Sequence, residues 1–127
     1  MSQVVFDSSA LLAYFNGEPG ADLVLTLVSE AIISSVNAAE VQARQVRKGE
    51  PPPAAWVNIV TSVQAIVAFD AEQAEIAGSL IRQTAQFGLS LGDRACLALA
   101  LKTGCAVYTA DRAWSQLQVG VPIHLVR

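Results

Sequence analysis

Five short runs rich in β-branched residues punctuate the chain: 3–6 (QVVF), 31–36 (AIISSV), 65–69 (AIVAF), 105–109 (CAVYT) and 123–126 (IHLV). Such runs read as strands. As a set they lack the polar face of a sheet bordering water, so both faces are expected to be covered. Between them lie longer Ala- and Leu-rich runs at 9–16, 21–30, 37–48, 54–64, 71–86, 91–102 and 112–117, which read as seven helices. Turn residues mark the limits: GEPG at 17–20, GEPPP at 49–53, Gly88, Gly104 and GVP at 120–122. Strand–helix alternation of this kind predicts an α/β fold, a three-layer sandwich around a mostly parallel sheet. At 127 residues, 53% of them hydrophobic, the chain is one domain's worth with a substantial core. It contains no internal repeat, low-complexity tract or interdomain linker.

One run is apolar on every side. ACLALALK, within 91–102, predicts a helix buried under other helices as well as against the sheet. The acid near its start, Asp93, then sits at the edge of a core.

Composition removes several functional classes. Charged residues are only 15% and the net charge is −3, which argues against a sequence-blind nucleic-acid binder held by a basic surface. No run approaches the ~20 apolar residues of a membrane span. The amino terminus has no basic leader and reaches an acid at Asp7, so a cytoplasmic protein is expected. Cys96 and Cys105 lie in apolar runs and read as small core residues of a reducing compartment. His124, the only histidine, reads as a strand side chain.

The acids are placed non-randomly. Asp7 directly follows the first strand run, and Asp111 lies just past the fourth. Glu40 stands three residues after Asn37, the expected cap of the helix following the second strand, and Asp93 opens the helix at 91–102. In an open parallel sheet, ligands bind beyond the carboxyl ends of the strands, where the following helices begin. About eleven helical residues span roughly 16 Å and six strand residues roughly 20 Å, so a helix descending from Asp93 and a strand climbing back bring Asp93 and Asp111 to one edge. Asp7 and Glu40 reach the same edge.

Each acid also has a purely structural reading. Asn37-x-x-Glu40 and Ser90-x-x-Asp93 have the form of capping boxes, and Asp7 and Asp111 suit caps. Ser, Thr or Asn would cap without charge, however, and two carboxylates ~5 Å apart repel by roughly 3 kcal/mol even at an effective dielectric of 20. A divalent cation removes that repulsion. Hard oxygen donors without His or Cys favour Mg²⁺, with Mn²⁺ as a substitute, and such a site suits displacement at a phosphodiester by an activated water. Asp70-x-x-Gln73 is expected to be a cap on an edge strand away from this cluster. Glu30, Glu50, Glu72 and Glu75 read as solvated, while Glu18 and Asp22 sit in or near a turn and are only weak candidates for the cluster.

The blocks VVFDSSALLAYFNGEPGA, ISSVNAAEV, GLSLGDRACLALA and VYTADRAW resemble those of the PIN-domain ribonucleases, specifically the VapC toxins of bacterial toxin–antitoxin pairs, across residues 4–126. The resemblance implies a single PIN-like domain over 1–127, with a five-stranded parallel sheet in the order 3-2-1-4-5. It implies Mg²⁺-dependent endoribonuclease activity on tRNA or ribosomal RNA loops, with Asp7, Glu40, Asp93 and Asp111 as catalytic and metal-holding residues. Ser9 and Thr109 would support that site. A homodimer is implied too, as is a VapB-like antitoxin whose tail enters a groove near the acids, walled by the helices at 37–48 and 54–64.

With those four acids set aside, eight Lys and Arg face seven Asp and Glu, so RNA affinity has to come from the metal and a few placed cations. Arg44, Arg47 and Lys48 follow Glu40 at helical spacing, and Arg94 and Arg112 neighbour acids. These are the candidate substrate contacts. Trp56 and Trp114 read as core or interface anchors.

Two alternatives stay open within the family: a catalytically silent protein- or RNA-binding module, and a non-toxin nuclease of RNA processing. A haloacid-dehalogenase-like phosphatase fits less well, because that class needs an Asp two residues after its nucleophile and Asp7 is followed by Ser8 and Ser9.

Overall fold

A computed structural model of the chain describes residues 3–127. Its strands are β1 (Val4–Phe6), β2 (Ala31–Ser34), β3 (Ala65–Val67), β4 (Ala106–Thr109) and β5 (Ile123–Leu125), all parallel and in the order β3-β2-β1-β4-β5. Val5 pairs with Ile32 on one side and Val107 on the other, so β1 is the central strand. Because side chains alternate across a strand, Val4, Phe6 and Ile33 enter one core while Val5, Ile32 and Val107 enter a second on the opposite face.

Among the described residues there are seven α-helices: α1 (Ser8–Phe15), α2 (Ala21–Leu27), α3 (Ser35–Arg47), α4 (Pro52–Ser62), α5 (Ala71–Ser79), α6 (Ile81–Thr84) and α7 (Leu91–Thr103). Helices α1 to α4 supply Leu11, Val24, Val41 and Ile59 to the first core. Helix α7 supplies Cys96, Leu97 and Leu99 to the second, where Trp114 is also fully buried. Residues Ala95–Ala100 have no exposed surface, because α7 packs against β1, β2 and β4 and also against α3 and α5. The all-round apolar run is thereby explained. Trp56 packs half-buried against the first core, and His124 stands on β5 with its ring 4.9 Å from that of Tyr108. No helix is long and apolar enough to cross a membrane among the described residues.

Three local expectations are corrected. The run at 71–86 is not one helix: it breaks at Leu80 after Gly78, a weak helix former, and Ser79, whose hydroxyl bonds back to the Glu75 carbonyl at 2.9 Å. The run at 112–117 forms only a 3₁₀ turn, Arg112–Gln116. The second strand stops at Ser34, because that side chain accepts from Val36 N at 3.2 Å and starts α3 there. Asn37 is therefore inside the helix and caps nothing.

The strand order sets the location of a site. From β1 the chain winds outward through β2 to β3, then returns to the other flank of β1 as β4. The carboxyl ends of β1 and β4 thus border a topological switch point, where adjoining loops diverge and leave a crevice.

Candidate functional site

Asp7 leaves β1 at that crevice and is only 3% exposed. Its carboxylate caps α1 by accepting from Ala10 N at 2.9 Å. It also accepts from the Ser9 hydroxyl at 2.8 and 2.9 Å and from the Thr109 hydroxyl at 2.6 Å. Both hydroxyls are held in turn, Ser9 Oγ by Ala110 N at 2.9 Å and Thr109 Oγ1 by Asp111 N at 3.1 Å. The end of β4 is thereby stitched to the start of α1. Burial still dominates, raising the Asp7 carboxyl from 3.8 to about 6 against the pull of Thr109, Ala10 and Ser9, with the Asp93 charge adding to the rise.

Asp93 belongs to a true capping box: its Oδ2 accepts from Ser90 N at 2.9 Å, and Asp93 N donates to Ser90 Oγ at 3.2 Å. Burial raises its carboxyl as well, partly offset by Ser90, and the charges of Glu40 and Asp111 add to the rise. Asp111 caps the 3₁₀ turn through Ala113 N at 3.0 Å. Three of the acids are therefore caps as well as members of one site.

Glu40 differs. With Asn37 inside α3, the supposed capping box does not exist; instead Glu40 Oε1 accepts from Ser8 Oγ at 2.6 Å and from Asn37 Nδ2 at 3.0 Å.

All four carboxylates line one cavity of about 610 Å³. Arg44 and Arg47 on α3, Lys48 just past its end, and Arg127 beyond β5 line it too, yet among the described residues none of these cations forms an ion pair with the four acids. Arg127 pairs instead with Glu18 at 3.3 Å, which brings that turn acid to the rim.

Other expected contacts are not brought there. The Arg94 side chain turns to α5 and donates to the Ala77 carbonyl at 3.0 Å, because α5 and α7 pack side by side. Arg112 is exposed outside the cavity lining. Asp70 caps α5 through Gln73 N at 2.9 Å, away from the cavity as expected. Cys96 and Cys105 are free thiols; burial pushes the Cys96 thiol well up, and Asp7, Asp93 and Glu40 add to the shift. It is an inert packing group beneath the acids.

The chemistry of this donor set suits a hard divalent cation: carboxylate and hydroxyl oxygens gather there, and neither His nor Cys lines the cavity. Among the described residues, no three such side chains close into a ready metal-gripping cluster. Sequence reasoning missed Ser8, Asn37 in its observed role, Gly92 and Arg127. Of these only Ser8, adjacent to Asp7, carried a local signal.

Comparison with known proteins follows the same lines. The family model described as PIN domain matches residues 4–120. A comparison with curated protein sequences yields no match. Among solved structures, a toxin–antitoxin complex from Klebsiella pneumoniae is similar at 19% identity and a TM-score of 0.74, covering 94% of this chain and 95% of that one. The DNA-bound VapBC from Salmonella typhimurium is similar at 17% identity and a TM-score of 0.71, covering 100% of both. VapC20 of Mycobacterium tuberculosis, a sarcin–ricin-loop-cleaving toxin, is similar at 18% identity and a TM-score of 0.70, covering 94% of this chain and 99% of that one.

Proposed function

The chain belongs to the PIN domain family, and from that premise we propose that it is a metal-dependent endoribonuclease, a VapC-like toxin that cleaves structured RNA such as tRNA or ribosomal RNA loops. The observation that carries this reading is the convergence of Asp7, Glu40, Asp93 and Asp111 on one cavity at the switch point, with no Lys or Arg among the described residues paired to them. Mg²⁺ is the proposed cofactor, with Mn²⁺ as a substitute, and the four carboxylates are its proposed holders. When bound, such an ion supplies Lewis acidity and lowers the pKa of water. The remaining work falls to the chain. Ser9, Thr109 and Ala10 N hold Asp7 in one orientation, Ser90 holds Asp93, and Ser8 with Asn37 holds Glu40. Arg44, Arg47 and Lys48, along one wall of the cavity, suit contact with the RNA backbone.

A VapB-like antitoxin is the proposed partner and the homodimer the proposed assembly, acting in the cytoplasm with residues 1–127 as one PIN-like unit. The solved structures of similar fold include toxin–antitoxin complexes, which supports that choice. A binding module without turnover is the rival, and it draws on the open arrangement of the carboxylates.

One experiment separates them: incubate antitoxin-free protein and its Asp7→Asn variant with total cellular RNA, in Mg²⁺ or in EDTA. Discrete fragments only from the native protein with Mg²⁺ are expected. Equal cleavage by Asp7→Asn would refute the site, and no cleavage in any lane would favour the binding module.

A further inference from the structure

Glu40 projects from the middle of α3 and is exposed, a setting in which a long carboxylate ordinarily samples many rotamers. Here it does not hang free. Oε1 accepts from Ser8 Oγ on α1 and from Asn37 Nδ2 one turn back on α3. The Asn37 amide is buried, and its Nδ2 also reaches Ser8 Oγ at 3.3 Å and the Gly92 carbonyl of α7 at 3.0 Å. Flipping that amide would set its oxygen against the Gly92 carbonyl and the Glu40 carboxylate, so the donor must face them. The result leaves Asn37 Oδ1 buried with no hydrogen-bond partner among the described residues.

Gly92 completes the arrangement. It is the second residue of α7, and its φ is not in the left-handed region, so backbone conformation gives no reason for glycine. Space does. A β-carbon there would fall on the Glu40 carboxylate, 2.8 Å from both Cδ and Oε1 and nearer still to Oε2. Gly78, the other helical glycine among the described residues, has nothing within 4 Å of such an atom. Glycine inside a helix is costly relative to alanine. At 92 that cost leaves room for a carboxylate beside Asp93.

We propose that Gly92 and Asn37 are positioning residues that seat the Glu40 carboxylate against the first turn of α7, so that it faces the cavity already aligned with Asp93. The inference rests on the carboxylate site proposed above as the metal site, and it assigns the alignment of that site to two uncharged residues.

A mutant cycle of Gly92→Ala, Glu40→Ala and the double variant tests it. In metal-free thermal unfolding, Gly92→Ala is expected to give no gain in the native background, where alanine must evict Glu40 from Ser8 and Asn37. In the Glu40→Ala background the same change should raise Tm by about 2–4 °C. In calorimetric titration with Mn²⁺, Gly92→Ala should weaken affinity about 10–100-fold, the usual effect of losing an outer-shell partner. It should have no further effect once Glu40 is alanine, and Asn37→Ala should follow the same pattern. Equal Tm gains in both backgrounds, with unchanged Mn²⁺ affinity, would overturn the proposal. A native protein that takes up no Mn²⁺ yet shows the coupling in Tm would sink the metal site and leave the seating of Glu40 supported.

Discussion

At its carboxyl end α7 presents Lys102 to Asp70 at 2.8 Å and to Glu72 at 3.1 Å; at its amino end Asp93 shares a cavity with Asp7, Glu40 and Asp111, and no cation pairs with any of them among the described residues. Both ends face more than one acid, two from the start of α5 at the carboxyl end and acids from several elements at the amino end, but they treat them oppositely. The bond from Lys102, with the Gln73 N–H, holds the Asp70 carboxyl below its usual range. Burial lifts Asp7 and Asp93 above theirs. One end is arranged as stability alone would arrange it. The other stores repulsion, although Arg44, Arg47 and Lys48 line the same cavity. Acids left unneutralised beside available cations point to an occupant supplied from outside the chain.

The comparison breaks most easily on activity. Asp93→Asn keeps the Ser90 cap available and should lower RNA cleavage about 100-fold or more, since a metal site supplies several kcal/mol to the transition state and 1.36 kcal/mol is tenfold in rate. Asp70→Asn at the other end should leave cleavage unchanged. Comparable losses from both variants would mean that the two ends do not differ in function.

Next in size is a stability effect of unusual sign. Native protein holds the Asp7 proton up to about pH 6, whereas the unfolded chain releases it near 3.8. Ionising Asp7 in the fold therefore removes stability as pH rises through that window, by about 3 kcal/mol once complete. Asp7→Asn should accordingly be more stable than native protein above pH 6 in EDTA, with the advantage shrinking to nothing below pH 4. Denaturant unfolding across pH 3.5–8 measures it. A variant less stable than native protein at pH 7.5 would show that the hydrogen bonds to Asp7 outweigh its burial. Asp70 has the opposite sign: its contribution is present above pH 4 and lost on acidification.

The smallest effect is expected at Lys102. Its partners are largely exposed, and such pairs contribute little and are screened by salt. Lys102→Ala should lower Tm by about 2 °C or less, with the difference fading in molar salt and cleavage unaltered. A large fall would mean that this end of α7 carries more of the fold than its exposure suggests.

Local spacing made much of this protein legible. β-Branched runs separated by Ala- and Leu-rich runs dictate strand–helix alternation through side-chain period alone, and the sheet has the five strands so marked. Caps are equally local. Ser90-x-x-Asp93 and Asp70-x-x-Gln73 act within one turn, and both form as spaced. Asn37-x-x-Glu40 has the same form and fails, because Ser34 competes for the helix start and wins. Asp7 and Asp111 reach one edge because Asp7 directly follows β1 and Asp111 lies just past the end of β4, and in a parallel sheet every strand ends on the same side.

Tertiary structure decided what those acids meet. Asn37 finds the Gly92 carbonyl 55 residues away, Thr109 reaches Asp7 across 102, and Arg127 crosses 109 to Glu18. Arg94, next to an acid in sequence, points to α5. The physical reason is one of range. Backbone periodicity and capping are settled among residues a turn apart, so sequence determined the layers, the edge and the acids on it. Whether a side chain there is clamped, orphaned or turned away depends on how α1, α3, α5 and α7 pack, and no local spacing carries that information.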